Sequence, residues 1–243
     1  MSYDILSFDL DGTLVDTAGE IAEAVNSALQ DHGIAPRPQA EITHLIGDGS
    51  RQLMLKLLAR LYLAQPALVE TARAEAVLAS FEHQLEATLG TVAMAYAGAH
   101  ETLARLRQAG VRLACVTNKE LRHARRVLQA TRLLPWFDLV LAGDSLPHKK
   151  PHASVLRHVA AVLGGDTQRM AHVGDSSVDV AAARNAGVAA WAVPYGYNAG
   201  VPIAESQPQR IFPGLLQVAE FVLDAPCVPP PLAAGRHAAP LNP

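Results

Sequence analysis

The chain has 243 residues, half of them hydrophobic, enough to bury a sizeable core in one large domain or in a domain with an insert. A formal charge of −3 supplies no field for gathering nucleic acid, and the two cysteines, Cys115 in an apolar run and Cys227 near the end, have neither disulfide-framework nor zinc-ligand spacing. No stretch of about eighteen apolar residues and no basic leader occurs, so the expectation is a protein of the reducing cytoplasm with no membrane span. In chain order, Ile5-Leu6-Ser7-Phe8 reads as a short buried strand that ends in Asp9-Leu10-Asp11-Gly12. Thr17-x-x-Glu20 has the form of a capping box, and Ile21, Ala24, Val25, Ala28 and Leu29 recur at helical spacing until Gly33. Residues 17–94 carry helical patterns only, such as Leu53, Met54, Leu57, Leu58 and Leu61, broken by Pro36, Pro38, Gly47, Gly49 and Pro66.

From Gly98 the texture becomes alternating. A helix runs to Ala109, then a strand over Val111–Val116, a helix to about Ala130 and a strand over Leu139–Ala142. A helix to Leu163, a strand over Met170–Val173, a helix to Ala186 capped by Gly187 and a strand over Ala189–Val193 follow. Alternation of this kind builds a parallel sheet covered on both faces. The expected architecture is therefore α/β: a doubly wound, Rossmann-like parallel sheet from residues 1–16 and 95–224, with a helical cap inserted over 17–94. Residues 225–243, rich in Pro and Ala, are expected to be a disordered tail. The basic cluster Arg122-His123-Ala124-Arg125-Arg126 falls on a helical pattern and reads as a solvated face.

Chemistry gathers at the strand ends. In an open parallel sheet ligands bind beyond the carboxyl ends of the strands, where Asp9 can act as a nucleophile and Asp11 can carry protons. Gly12 permits a backbone turn close to a bound anion. Thr117-Asn118 places a hydroxyl and an amide at the end of a second strand, where both can donate to phosphoryl oxygens. Lys150, before Pro151, can aim an ammonium into the cleft. Gly174-Asp175-Ser176-Ser177-Val178-Asp179 brings two more carboxylates across a strand-to-helix turn, hard oxygen donors suited to Mg²⁺. Taken singly, these are also ordinary turns, helix caps and first-turn acids. Together, four strand ends supply a nucleophile with a proton carrier, hydrogen-bond donors, a cation and metal ligands.

With Asp9-Leu10-Asp11-Gly12-Thr13, Thr117-Asn118, Lys150-Pro151 and Gly174-Asp175-Ser176-Ser177-Val178-Asp179, the chain resembles the haloacid dehalogenase superfamily of phosphatases over residues 2–223. Leu14-Val15-Asp16-Thr17, Ile46-Gly47-Asp48-Gly49, Lys149-Lys150-Pro151-His152 and Tyr195-Gly196-Tyr197-Asn198 are similar to a subfamily, the bacterial phosphoglycolate phosphatases. The resemblance implies hydrolysis of a phosphomonoester through an aspartyl-phosphate on Asp9, with Asp11 first acid and then base. It also implies Mg²⁺ held by Asp9, the Asp11 carbonyl and Asp175, phosphoryl charge taken by Thr117, Asn118 and Lys150, and Asp179 orienting a water or Lys150 from behind. An acid at position 11 fits an ester substrate rather than a halide or phosphonate.

The implied partner is a small phosphorylated metabolite, 2-phosphoglycolate first, with nucleic acid and membrane excluded and the oligomeric state open. Sugar or amino-sugar phosphates, a phosphosugar mutase and, in another class, a phosphoryl-receiving regulatory domain are the alternatives. Gly47, Asp48 and Gly49, opening a helix at Ser50, are candidates for receiving the substrate's carboxylate, flanked by Arg51 and His44.

Overall fold

In the computed structural model, which describes residues 3–224, β1 (Ile5–Phe8) lies at the centre of a six-stranded sheet. Four consecutive buried apolar or small residues suit a strand covered on both faces. On one side β1 pairs with β4 (Arg112–Val116), which pairs with β5 (Leu139–Leu141); on the other stand β6 (Met170–Gly174), β7 (Ala189–Ala192) and β8 (Arg210–Ile211). All the pairings are parallel, and the register sets Phe8 against Cys115 on one side and Val173 on the other. The carboxyl ends of β1, β4 and β6 therefore open at one edge of the sheet.

The helical insert lies between two short strands, β2 (Val15–Asp16) and β3 (Met94–Ala95), which pair antiparallel as Val15↔Ala95 and Asp16↔Met94. Two residues per strand leave no periodicity to read, so this ribbon escaped the sequence pattern. Within the insert run α1 (Ala18–Asp31), α2 (Gln39–Thr43), α3 (Ser50–Ala64), α4 (Leu68–Thr71) and α5 (Ala74–Thr88). Ile21, Val25 and Leu29 of α1 are buried, as are Leu57 and Leu61 of α3 and Phe81 and Leu85 of α5, all in one apolar cluster.

The remaining helices cover the sheet: α6 (Ala99–Gln108), α7 (Leu121–Ala130), α8 (Ala153–Val162), α9 (Ser177–Ala186) and α10 (Leu215–Leu223). β8 and α10, beyond the last expected strand, were not foreseen. Trp191 is buried against Phe212 and Phe221, which anchors this last unit to β7. The expected tail and Cys227 lie outside the described residues.

Two local expectations are corrected. The capping box at Thr17 and Glu20 does not form: Thr17 Oγ1 donates to Asp11 Oδ1 at 2.6 Å, and Glu20 accepts the main-chain N–H of Gly90 at 2.8 Å. α1 is instead capped by Tyr197, whose hydroxyl accepts the N–H groups of Thr17 and Ala18 at 3.0 and 3.1 Å. The basic cluster on α7 is not simply solvated either, because Arg122 pairs with Glu82 and Glu86 of α5, and Arg126 donates to the Glu86 carbonyl. These contacts join the insert to the core.

Candidate active site

The first turn after β1 fixes the central carboxylates. Asp9 is nearly buried, and Lys150 Nζ stands 2.8 Å from its Oδ1. Lys150, on the loop before α8, spends its other donors on the Val116 carbonyl at 2.8 Å and on Asp179 Oδ1 at 2.7 Å. Burial pushes the Asp9 carboxyl up to about 7, opposed by Lys150 and reinforced by Asp179. Burial also raises Asp175 well above the usual carboxylate range, with the charges of Asp179 and Asp9 adding to it. Asp179 goes the other way: against its burial, Lys150 and His172 hold it well below that range.

Asp9, Asp175 and Asp179 offer oxygen atoms within 4.8 Å of one another, all from buried carboxyls. The donor set is hard, burial raises two of its members, and one of these, Asp175, has no cationic partner among the described residues, so the residues fit a divalent metal ion. Asp179 is the least available ligand, since its Oδ2 already accepts the N–H and hydroxyl of Ser176 at 3.1 and 2.6 Å while its Oδ1 serves Lys150 and His172. The main-chain carbonyl of Asp11 accepts no hydrogen bond among the described residues. Asp175 is steadied by Thr13 Oγ1 at 2.7 Å and by the N–H of Tyr197.

Gly12 serves this carboxylate rather than an anion. A Cβ there would lie 2.4 Å from Asp175 Oδ2, its φ is +86°, and its N–H is committed to the Val15 carbonyl at 2.9 Å. Gly196 sits under the same constraint, its Cβ position 2.3 Å from Asp175 Oδ2.

Asp11 faces the cavity with two partners that the sequence did not reveal. Lys119 Nζ lies 3.1 Å from both of its carboxylate oxygens, and Thr17 Oγ1 holds one of them. Lys119 is buried to 4% exposure and directly follows the Thr117-Asn118 pair; its strand-end position was the available signal. Thr117 Oγ1 accepts the N–H of Lys119 at 3.2 Å and keeps its proton for a ligand. Asn118 is corrected: its Nδ2 donates to the carbonyls of Gly47 and Lys150, each at 3.0 Å, so the amide is not free for a phosphoryl oxygen. Its main-chain N–H and that of Asp11 have no acceptor among the described residues, so both remain available to an anion.

The cavity between these groups and the insert has a polar floor of Asp9, Asp11, Thr117, Asn118 and Lys119. Ile21, Ile46, Leu53 and Leu85 form an aliphatic roof, interrupted by Gly47, Gly49 and Ser50 at the start of α3. The 47–50 loop is docked onto the core: Lys149 donates to the Asp48 carbonyl, Ser50 Oγ donates to Glu120 at 2.9 Å, and a Cβ on Gly49 would meet the Asn118 carbonyl at 2.8 Å. Asp48 is not at the cavity; its carboxylate pairs with exposed Lys56. Arg51 is exposed and lines grooves outside the cavity, near Glu75 and Glu82 on one side and Asp144 on another. His44 is also exposed and packs against Gly200.

Carboxyls paired with Lys150 and Lys119, beside unbonded main-chain N–H groups at the carboxyl edge of a doubly wound sheet, make an arrangement suited to phosphoryl transfer. The family model for haloacid dehalogenase-like hydrolases matches residues 3–187, and the chain belongs to this family. The phosphoglycolate phosphatase of Nitrosospira multiformis is 39% identical over 214 residues, covering 88% of this chain and 93% of its own. That of Psychrobacter arcticus is 34% identical over 235 residues, covering 93% and 98%. A crystal structure described as a predicted phosphoglycolate phosphatase from Haemophilus somnus matches with a TM-score of 0.83 at 31% identity, over 91% of this chain and 98% of that one. The chain is accordingly a phosphoric monoester hydrolase, which sets aside the phosphoryl-receiving regulatory domain.

Proposed function

We propose that the chain hydrolyses 2-phosphoglycolate to glycolate and phosphate through an aspartyl-phosphate on Asp9. The observation that carries this reading is the pairing of Asp9, held by Lys150, with Asp11 in one cavity whose roof is aliphatic. Asp9 attacks phosphorus, while Asp11 protonates the departing glycolate oxygen and then takes a proton from the water that attacks the aspartyl-phosphate. Thr117 Oγ1, the main-chain N–H groups of Asp11 and Asn118, and Lys150 receive the phosphoryl oxygens. Lys119 and Thr17 keep the Asp11 side chain turned into the cavity. Asp9, Asp175 and the Asp11 carbonyl would hold Mg²⁺, which when bound offsets the repulsion between an anionic nucleophile and an anionic phosphate.

The roof argues for a small leaving group. Sugar hydroxyls would lie against Ile21, Ile46, Leu53 and Leu85 without partners, at a cost of about 1–3 kcal/mol for each group left unsatisfied. A two-carbon acid places only its carboxylate at depth, where Lys119 supplies positive charge. The insert, residues 17–94, acts as the cap that excludes water while the loop at 47–50 is docked. The test is kcat/KM with Mg²⁺ across 2-phosphoglycolate, sugar phosphates, amino-sugar phosphates and nucleotides. The highest value is expected for 2-phosphoglycolate; a higher one for any sugar phosphate would overturn the substrate assignment.

A further inference from the structure

His172 is an anomaly within β6. It is fully buried, between Ala171 and Val173 on a strand that otherwise has no polar side chain, and it stands in register with Ser7 of β1. A buried imidazole is costly unless both nitrogens are satisfied, and here both are. Nδ1 lies 2.9 Å from Ser7 Oγ and Nε2 lies 3.1 Å from Asp179 Oδ1. That same Asp179 oxygen accepts Lys150 Nζ, which in turn stands on Asp9. The side chains of Ser7, His172, Asp179, Lys150 and Asp9 thus form one continuous buried line through the sheet.

The hydrogen-bond roles select one form of the ring. A neutral imidazole with its proton on Nε2 donates to Asp179 and accepts from the Ser7 hydroxyl at Nδ1. An imidazolium would require Ser7 to accept from Nδ1 and to turn its own proton to the Ala171 carbonyl, 3.4 Å away, with a second cation beside buried Lys150. Burial, the largest effect, and the Lys150 charge oppose that cation, while Asp179 and the Ser7 main chain favour it; the net direction is downward.

We propose that His172, as the neutral Nε2–H tautomer with the Ser7 hydroxyl at Nδ1, is a positioning residue for phosphoryl transfer, fixing the Asp179 carboxylate in the orientation that holds Lys150 on Asp9. The proposal rests on Asp9 being the nucleophile. Once the His172 bond is lost, Asp179 Oδ1 is free to turn with the Ser176 cap as its pivot, and Lys150 follows it. An outer partner that orients a functional carboxylate in this way typically carries 10–100-fold in activity.

The tautomer is read directly by long-range ¹H–¹⁵N correlation spectra of histidine-labelled full-length protein, with the His172 pattern assigned by its disappearance in His172→Gln. The expected pattern is pyrrole-type Nε2 and pyridine-type Nδ1, unchanged from pH 6 to 8. In parallel, His172→Phe should lower kcat about 10–100-fold with KM within about threefold, and His172→Gln, which restores a donor near Nε2, should recover most of it. A protonated or Nδ1–H ring overturns the proposal, as does a folded His172→Phe within threefold of the parent kcat, or a His172→Gln as slow as His172→Phe. Should His172→Phe not fold, Ser7→Ala decides: loss of the Nδ1 partner loosens the ring and should lower kcat several-fold with KM within about threefold, and a folded Ser7→Ala with parent-like kcat overturns the proposal. If Asp9→Asn retained turnover while the tautomer stood as expected, the nucleophile assignment would have failed and not the hydrogen-bonded line.

Discussion

Removing the divalent metal should destabilise the protein far more at pH 8 than at pH 5.5. The folded Asp9 carboxyl is raised from the usual 3.8 to about 7. In the metal-free protein its favourable contribution is therefore complete below 3.8 and is lost as pH rises through about 7, where the buried carboxylate must ionise. Asp175 is raised in the same direction by burial. Metal ligation needs both groups ionised, so binding at low pH must first displace protons.

With Mg²⁺ at about a hundred times its dissociation constant at pH 8, mass action gives about 2.7 kcal/mol, or roughly 5–11 °C in Tm for a chain of this size. At pH 5.5, about 1.5 pH units below the Asp9 value, deprotonating Asp9 alone costs about 2 kcal/mol and weakens binding roughly thirtyfold. The remaining stabilisation is about 0.8 kcal/mol, or roughly 2–3 °C, and Asp175 reduces it further. Thermal melts with and without Mg²⁺ at the two pH values, with EDTA as the reference, measure the contrast directly. An equal or larger metal-induced shift at pH 5.5 would refute the placement of the ion on these two carboxyls.

Asp9→Asn should abolish turnover while the metal-free melt at pH 8 stays at or above that of the parent, because an amide relieves the buried charge; activity within about tenfold of the parent would remove Asp9 as nucleophile. Gly12→Ala should lower stability by about 1–2 kcal/mol from its left-handed backbone alone and also weaken Mg²⁺ binding by displacing Asp175; calorimetry showing parent-like affinity would contradict the crowding at that carboxylate. Glu20→Ala should cost about 1–3 kcal/mol in urea unfolding, since it leaves the Gly90 N–H without its acceptor at the return from insert to core; an unchanged midpoint would deny that link. Gly49→Val should reduce kcat/KM on 2-phosphoglycolate and on an aryl phosphate alike, because its side chain strikes the Asn118 carbonyl, whereas Arg51→Ala should change neither; a loss confined to 2-phosphoglycolate would instead place the Gly49 loop against the substrate's carboxylate.

The doubly wound sheet was legible because its signal is repetitive. Each buried strand from Val111 onward is a short apolar run bounded by helical spacing, and the observed strands begin and end within a residue or two of those runs. The β2–β3 ribbon and β8 were not legible, since strands of two residues have no period and are specified by what they pair with. The capping box failed for a related reason. Thr17 and Glu20 have the right spacing, but Thr17 is drawn to Asp11 and Glu20 to Gly90, so tertiary partners displaced the local ones.

The site divides along the same line. Asp9, Asp11, Thr117, Lys150, Asp175 and Asp179 were visible because a reactive side chain at a strand end is already an oddity in sequence. Their supports were not: Lys119 reaches Asp11 across 108 positions, Tyr197 reaches Thr17 across 180, and His172 joins Asp179, 7 positions on, to Ser7, 165 positions back, so that it is the fold that brings them together. Asn118 shows the converse, a side chain rightly placed whose amide is nevertheless spent on the Gly47 and Lys150 carbonyls. It joins the Gly47 loop to the loop that carries Lys150, so docking of the insert and placement of Lys150 share a residue. Loss of that amide should therefore disturb both together, with the main-chain N–H of Asn118 left in place for the phosphoryl group.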